Sequence, residues 1–415
     1  MKFFAQHGFA QGDKTNMGLS EGFLDGVIYS PRDIGADRLR HQLAHIRTEY
    51  PQAELYFDPQ YYAAFNVEHP EARLGQLEGC EEYASFFRRR QRRQLEAGGA
   101  PLETDIRDCL AFQEQLLVNG VISPNIIIRR SFDSIDAAIS KNFIRQAGAL
   151  HRQARCAKPL YVTLAVSRDT LLDRTELFAF LEDITVLEFP PRGFYILVAA
   201  RSQEARADIF HADVIAGWLL INHCLAINGF EVINGYSDLL SPFLGAVGGS
   251  AGASGWWNNL RVFSLDRFLP AGGGRRPVQR YLSKVLISRI RFDELAALVQ
   301  LRGREMPIPD VLNRMPTDCG YSLAEGFEPA PLAEVLQSWE ALKSLTDDLC
   351  TGDVIDALDR CRNAVASAQA AFEEIRATFG TLDPKSAGDH LSAIAEGLRQ
   401  FGEMAEIGSV EAEPR

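Results

Sequence analysis

Over roughly the first 250 residues, short runs of β-branched and aromatic residues alternate with longer segments whose apolar positions recur every three or four residues. The short runs predict strands and the longer ones amphipathic helices, the pattern of repeated βα units around a parallel sheet. Eight strands are predicted: "KFFAQ" at 2–6, "GVIYS" at 26–30, "ELYFD" at 54–58, "NIIIR" at 125–129, "LYVTLAV" at 160–166, "FYILVAA" at 194–200, "EVING" at 231–235 and "LGAVG" at 244–248. Between most of them stand helical patterns such as "GADRLRHQLAHIRTEY" and "SIDAAISKNFIRQAGALHRQA". Eight such units over about 250 residues is the period of a (β/α)8 TIM-type barrel. An open doubly wound sheet is the alternative, because periodicity does not report closure.

Two departures from the rhythm set the domain organisation. Residues 59–124 form a long insertion after the third strand, carrying the helical pattern "LETDIRDCLAFQEQLLVNG". After the barrel, taken as 1–265, residues 266–330 hold a Gly- and Pro-rich connector, "FLPAGGGRRPVQRY", followed by "YLSKVLISRIRFDELAALVQL", read as a final barrel helix. Residues 331–415 are Ala-, Leu- and Glu-rich with three helical patterns, a helical appendage suited to docking on the barrel or to holding a protein partner or a second copy.

Composition narrows the partners. A net charge of -12 over 415 residues argues against broad attachment to nucleic acid or an anionic membrane. The basic run "FFRRRQRR" in the insertion keeps nucleic acid open without favouring it, since acidic neighbours such as Glu81 and Glu82 fit a solvated helix face. Seven cysteines without Cys-x-x-Cys spacing read as reduced thiols, and no apolar run reaches a membrane span, so a cytoplasmic protein is expected. No motif names a cofactor, and the scattered histidines name no metal.

In a parallel barrel the C-terminal ends of the strands point into one mouth. Here those ends carry Arg32 and Asp33 in "SPRD", Asp58 and Gln60 in "DPQYY", Arg130 in "RRSFD", and Arg201 in "ARS". Guanidinium forks match phosphate and carboxylate, so the arginines predict an anion site. Asp33 and Asp58, each next to a proline-bearing turn, form the candidate pair for acid–base or nucleophilic chemistry. A structural salt bridge between Arg32 and Asp58 competes with that reading. Ser-Arg-Asp and Ser-Phe-Asp elsewhere read as helix caps. Loops after strands seven and eight commonly bind phosphate, which places Gly235, Gly248, Gly249, Ser250 and Arg261 at an expected anion cradle.

The run "GYSDLLSPFLGAVGG" followed by "WWNNLRVF" resembles the late-barrel region of tRNA-guanine transglycosylases, over about 30 residues. The resemblance implies a (β/α)8 barrel with nucleotide or nucleobase recognition. Ser-Ala-Gly-Ala-Ser replaces that family's aspartate segment, and its cysteine-rich zinc site has no counterpart, so no catalytic residue is carried over. The expectation is an enzyme acting on a phosphate-bearing or nucleotide-like small molecule. The alternatives are a non-catalytic barrel scaffold and a base-exchange protein acting on nucleic acid.

Overall fold

The computed structural model describes residues 1–68, 73–96, 98–202, 208–270, 278–304, 308–313 and 329–407. Nine parallel strands surround its centre: β1 (Lys2–Gln6), β2 (Gly26–Tyr29), β3 (Glu54–Phe57), β4 (Val121–Ile122), β5 (Ile127–Ile128), β6 (Leu160–Ser167), β7 (Gly193–Ala199), β8 (Glu231–Asn234) and β9 (Ala251–Ser254). Their order is β3-β2-β1-β9-β8-β7-β6-β4, with β5 also on β6. The first and last strands of the series are neighbours, as a barrel requires.

β4 and β5 share the fourth barrel position, split around Pro124, which has no N–H to give a ladder. Side chains replace the lost rungs: Asn125 Nδ2 donates to the Thr163 carbonyl (2.7 Å), and Thr163 Oγ1 donates to the Ser123 carbonyl (2.6 Å). Asn119 spans the remaining gap between β3 and β4. Its N–H donates to the Leu55 carbonyl (2.8 Å) and its Oδ1 accepts from the Leu55 N–H (2.7 Å). The sheet is thereby a nearly closed (β/α)8 barrel, as the pattern predicts.

The helices are α1 (Lys14–Ser20), α2 (Ala36–Glu49), α3 (Gln76–Gly79), α4 (Arg93–Glu96), α5 (Ala100–Glu114), α6 (Ile135–Ala154), α7 (Arg174–Thr185), α8 (Ala212–Ile227) and α9 (Ser241–Ala246). A hairpin of β10 (Arg280–Ser283) and β11 (Ser288–Arg291) follows, then α10 (Phe292–Arg302), α11 (Pro331–Leu349), α12 (Val354–Thr378) and α13 (His390–Met404). In the insertion, Arg88, Arg89, Arg90 and Arg92 of the arginine run pair with carboxylates. Asp105 on α5 is fully buried and accepts from Arg88 Nη1 (2.8 Å), Arg90 Nε and Nη2 (2.8 Å each) and the Tyr61 hydroxyl (2.6 Å).

Two predicted elements differ. The apolar "LGAV" at 244–247 belongs to α9 and its exit, with Pro242 in the first helical turn where its missing N–H costs nothing. The last barrel strand is instead the small-residue run "AGAS" of β9. The predicted final barrel helix begins as the β10–β11 hairpin, in which buried Tyr281 pairs with Ile290 and Leu282 with Arg289 before α10 starts at Phe292.

The C-terminal helices lie on the chain's own barrel: α11 against α9 and α1, and α13 along α8. Gly397 of α13 allows the approach, since a Cβ there would stand 2.8 Å from the Ile215 Cβ of α8. Among the described residues no helix is long and apolar enough to cross a membrane.

Candidate functional site

The C-terminal ends of β1, β2 and β3 deliver Gln6, His7, Ser30 and Asp58 to the barrel mouth, and all four are buried. Asp58 Oδ1 accepts from the Gln60 backbone N–H (3.0 Å), while Oδ2 accepts from the hydroxyls of Tyr62 (2.7 Å) and Tyr195 (3.2 Å). Burial raises the Asp58 carboxyl to about 6, against the opposing pull of Tyr62, the Gln60 amide, Arg267 and Tyr195. A carboxyl near that value exchanges protons readily at neutral pH. Burial likewise lowers His7 to about 4, so its imidazole is neutral at pH 7 and unsuited to act as a cation.

Asp33 has a separate role. Arg32 Nη1 reaches one of its oxygens (2.7 Å) and Arg267 Nη2 the other (3.0 Å). Arg267 also donates to the Tyr236 hydroxyl and lies over the Tyr236 and Phe268 rings (5.4 and 5.5 Å to the centroids). Arg32 pairs with Asp33 and not with Asp58, so the two carboxylates expected as a pair are divided: one neutralised by arginines, one held by hydroxyls. Gln60 joins the halves, its Oε1 accepting from the Arg32 N–H (3.1 Å).

Three buried polar groups beside Asp58 carry atoms without a hydrogen bond: both atoms of the Gln6 carboxamide, Gln60 Nε2 and Arg267 Nε. Each costs about 1–3 kcal/mol when left unmet. Backbone strain collects here too. Seven described non-glycine residues have positive φ, and four of them, Ala10, Gln60, Tyr236 and Asp238, follow β1, β3 and β8 at the mouth. Such strain persists where the surroundings over-determine it, and it concentrates at ligand sites. Tyr62, Phe263 and Phe268 form the cover, with ring centroids 5.0 Å (Tyr62 to Phe263) and 6.2 Å (Tyr62 to Phe268) apart.

Beside this cluster, across Tyr236, a small pocket with room for about one water lies between the segments that follow β7, β8 and β9. Its polar wall holds Ser237, Asp238 and Arg261, and its apolar wall includes Phe210, Trp218 and Val262. Burial works to raise the Asp238 carboxyl, but Arg289 (2.6 and 2.8 Å), Arg261 and the Ser254 hydroxyl (2.6 Å) more than offset it and hold it at about 2. Among the described residues no group of three His, Cys, Asp or Glu is placed to hold a metal.

The other predicted positions are dispersed. Gly235 stands at the mouth end of β8, against Leu197 and the Tyr195 hydroxyl. Gly248, Gly249 and Ser250 precede β9 rather than follow a strand, and the Ser250 carbonyl accepts from the N–H of Lys2, the first residue of β1. They lie at the barrel end opposite Asp58, where Gly249 closes α9 through its N–H to the Leu244 carbonyl (2.9 Å). The expected glycine cradle is a helix exit. Arg130 is exposed, and Arg201, also exposed, pairs with Asp169 (2.7 Å). Ser134 caps α6 and Ser167 caps the 3-10 turn at Arg168–Leu172. Sequence reasoning missed Gln6, Tyr62, Tyr195, Tyr236 and Arg267. Gln6 closes the apolar run of β1 and Tyr195 stands inside that of β7, which is the signal a search for inward polar residues would use.

No protein-family model and no curated protein matches the chain. Among solved structures it is similar to a dihydrodipicolinate synthase from Oceanobacillus iheyensis, at 8% sequence identity over 97% of this chain and 96% of that one, with a TM-score of 0.22. A likeness at that score carries no argument, and the barrel rests on the strand order alone.

Proposed function

We propose that the chain is a barrel enzyme in which Asp58 gives and takes a proton on a small polar molecule held at the mouth. The observation that carries this reading is the convergence of unmet buried groups on a carboxyl raised to about 6. The Gln6 carboxamide offers a donor and an acceptor, and Gln60 Nε2 a further donor, of the kind that pair with a nucleobase-like ring. Asp33 acts as a positioning residue: it fixes Arg32 and Arg267 beside the site, where they would receive an anionic portion of the substrate. Tyr62, Phe263 and Phe268 must shift for a substrate to enter, since Asp58 has no exposed surface. The comparisons do not extend the likeness to tRNA-guanine transglycosylases, and base exchange is not part of the proposal.

That same enclosure favours a second reading, in which the mouth is a hydrogen-bonded plug and the barrel a scaffold. A thermal-shift screen of nucleobases, nucleotides and sugar phosphates separates the two. On the enzyme reading a ligand raises the melting temperature of the wild type, loses its effect in Gln6→Ala and Gln60→Ala, and is bound but not turned over by Asp58→Asn. A ligand effect indifferent to both glutamines, or no effect from any member of the screen, supports the scaffold.

A further inference from the structure

The chain that follows β9 crosses the mouth as a strap, residues 261–269, with a 3-10 turn at Leu265–Phe268 and no place in the sheet. Its near end is anchored on the barrel: the Val262 N–H donates to the Asn258 carbonyl (3.1 Å) and Arg261 Nε to the Gly255 carbonyl (3.2 Å). Beyond that anchor the backbone is tied at isolated points. The Phe263 carbonyl accepts from the Ala200 N–H after β7 (2.9 Å), and the Phe268 carbonyl from the Arg73 N–H of the insertion (2.6 Å). Phe263 and Phe268 rest on the Tyr62 ring, whose hydroxyl holds Asp58. Arg267 ties the strap to Asp33 after β2 and to the Tyr236 hydroxyl after β8.

A segment held at isolated points opens at lower cost than a strand such as β7, which is bonded along both edges to β6 and β8. Packing along the strap is also incomplete, since Val262 and Phe263 line the water-sized pocket. The strongest single tie is the buried Arg267–Asp33 pair (3.0 Å). Breaking it strands no charge: Asp33 keeps Arg32 (2.7 Å), and Arg267 leaves with the strap for solvent.

We propose that residues 261–269 are a gate over Asp58, latched by Arg267 on Asp33. When the latch breaks, Phe263 and Phe268 leave with the strap, Tyr62 loses its cover, and the Asp58 carboxyl becomes accessible from the mouth. The use of the gate rests on the enzyme reading above, in which reclosure returns Arg267 beside the anionic portion of a bound molecule. The opening itself belongs to the ligand-free chain.

Hydrogen exchange of the ligand-free full chain, resolved to single amides by mass spectrometry, tests it. The Ala200 and Arg73 amides donate to the strap, and in the wild type they should exchange roughly tenfold or more faster than the inner amides of β6 and β7. Asp33→Asn weakens the latch and should accelerate both reporters by roughly a further tenfold, with β6 and β7 unchanged. Labelling of Asp58 by a water-soluble carbodiimide and an amine should rise by a similar factor, because the same opening uncovers it. Reporters as slow as the inner strands, acceleration of every amide together, or faster reporters without a rise in Asp58 labelling overturns the gate. If Asp33→Asn does not fold, Tyr236→Phe decides. It removes one bond to Arg267 and should accelerate the reporters about threefold, and unchanged rates refute the latch. An opening strap with no ligand found in the thermal-shift screen leaves a gated scaffold, whereas a ligand effect with a strap that never opens leaves the enzyme reading without this gate.

Discussion

Replacing Asp58 by Asn should leave the protein as stable or more stable at pH 7.5, and should change the shape of its stability profile. The folded chain holds the Asp58 proton more tightly than the unfolded chain does, because the carboxyl moves from 3.8 to about 6 on burial. Its contribution is therefore fully favourable below about pH 4, is lost as the pH rises through 6, and amounts to about 3 kcal/mol. His7 acts in the opposite sense. Its value falls from 6.5 to about 4, so folding favours the neutral ring, and that stability is present above 6.5 and lost as the pH falls toward 4, again by about 3 kcal/mol. Between pH 4 and 6.5 the two trends nearly cancel in the wild type. Asp58→Asn removes one of them, so urea unfolding of the variant should show stability falling steeply below pH 6.5. The difference between variant and wild type should shrink from about 3 kcal/mol in favour of Asn at pH 7.5 to near zero at pH 4. A variant that is less stable than the wild type by the same amount at every pH would refute the reasoning. Asp58 would then be held by its three hydrogen bonds without a burial cost.

Three further outcomes follow from other contacts. Asp238→Asn leaves Arg289 buried without its charge partner and should cost about 3–5 kcal/mol by urea unfolding, whereas joint replacement of Asp238 and Arg289 by Leu and Met should recover much of that loss. Asp105→Asn strips Arg88 and Arg90 of a shared carboxylate, so proteolysis within 73–96 should accelerate while the barrel core stays resistant; equal protection in both proteins would show that the arginines are not what anchors the insertion. Gly249→Ala should destabilise by about 1–3 kcal/mol in thermal unfolding, because its Cβ would stand 2.8 Å from the Leu244 carbonyl oxygen, and should leave ligand binding at the mouth unchanged.

The barrel was legible where strands are bulky. β1, β2, β3, β6, β7 and β8 carry aromatic or β-branched runs, and each lies within a residue of its expected bounds. β9 was not, because its neighbours come too close for large side chains: a Cβ at Gly252 would meet Ser241 at 2.6 Å. A strand built from Ala, Gly and Ser has no propensity signal to read. The hairpin β10–β11 was hidden for a different reason, as its apolar residues also fit a helical period when counted together with those of α10. At the mouth, Asp33, Asp58, Arg32 and Gln60 could be read from strand ends next to prolines. Their separation into an arginine-bound carboxylate and a hydroxyl-bound one could not, since it depends on Arg267, which lies more than 200 residues away along the chain. Tyr62, Tyr195 and Tyr236 resemble core aromatics in sequence, and only their hydroxyl contacts reveal a polar centre.

Helix α8 is apolar on every side, with the barrel on one face and α13 on the other. The ribosome finishes α8 at Ile227 and reaches His390, the start of α13, about 160 residues later. At 5–20 residues per second, that leaves an interval on the order of 10–30 s in which the outer face of α8 has no partner. During that time the nascent barrel presents an oily stripe to the cell, and a chain interrupted before α13 keeps it permanently. Truncations in the last helix should therefore show themselves first as aggregation during synthesis, before any loss of the barrel's own structure.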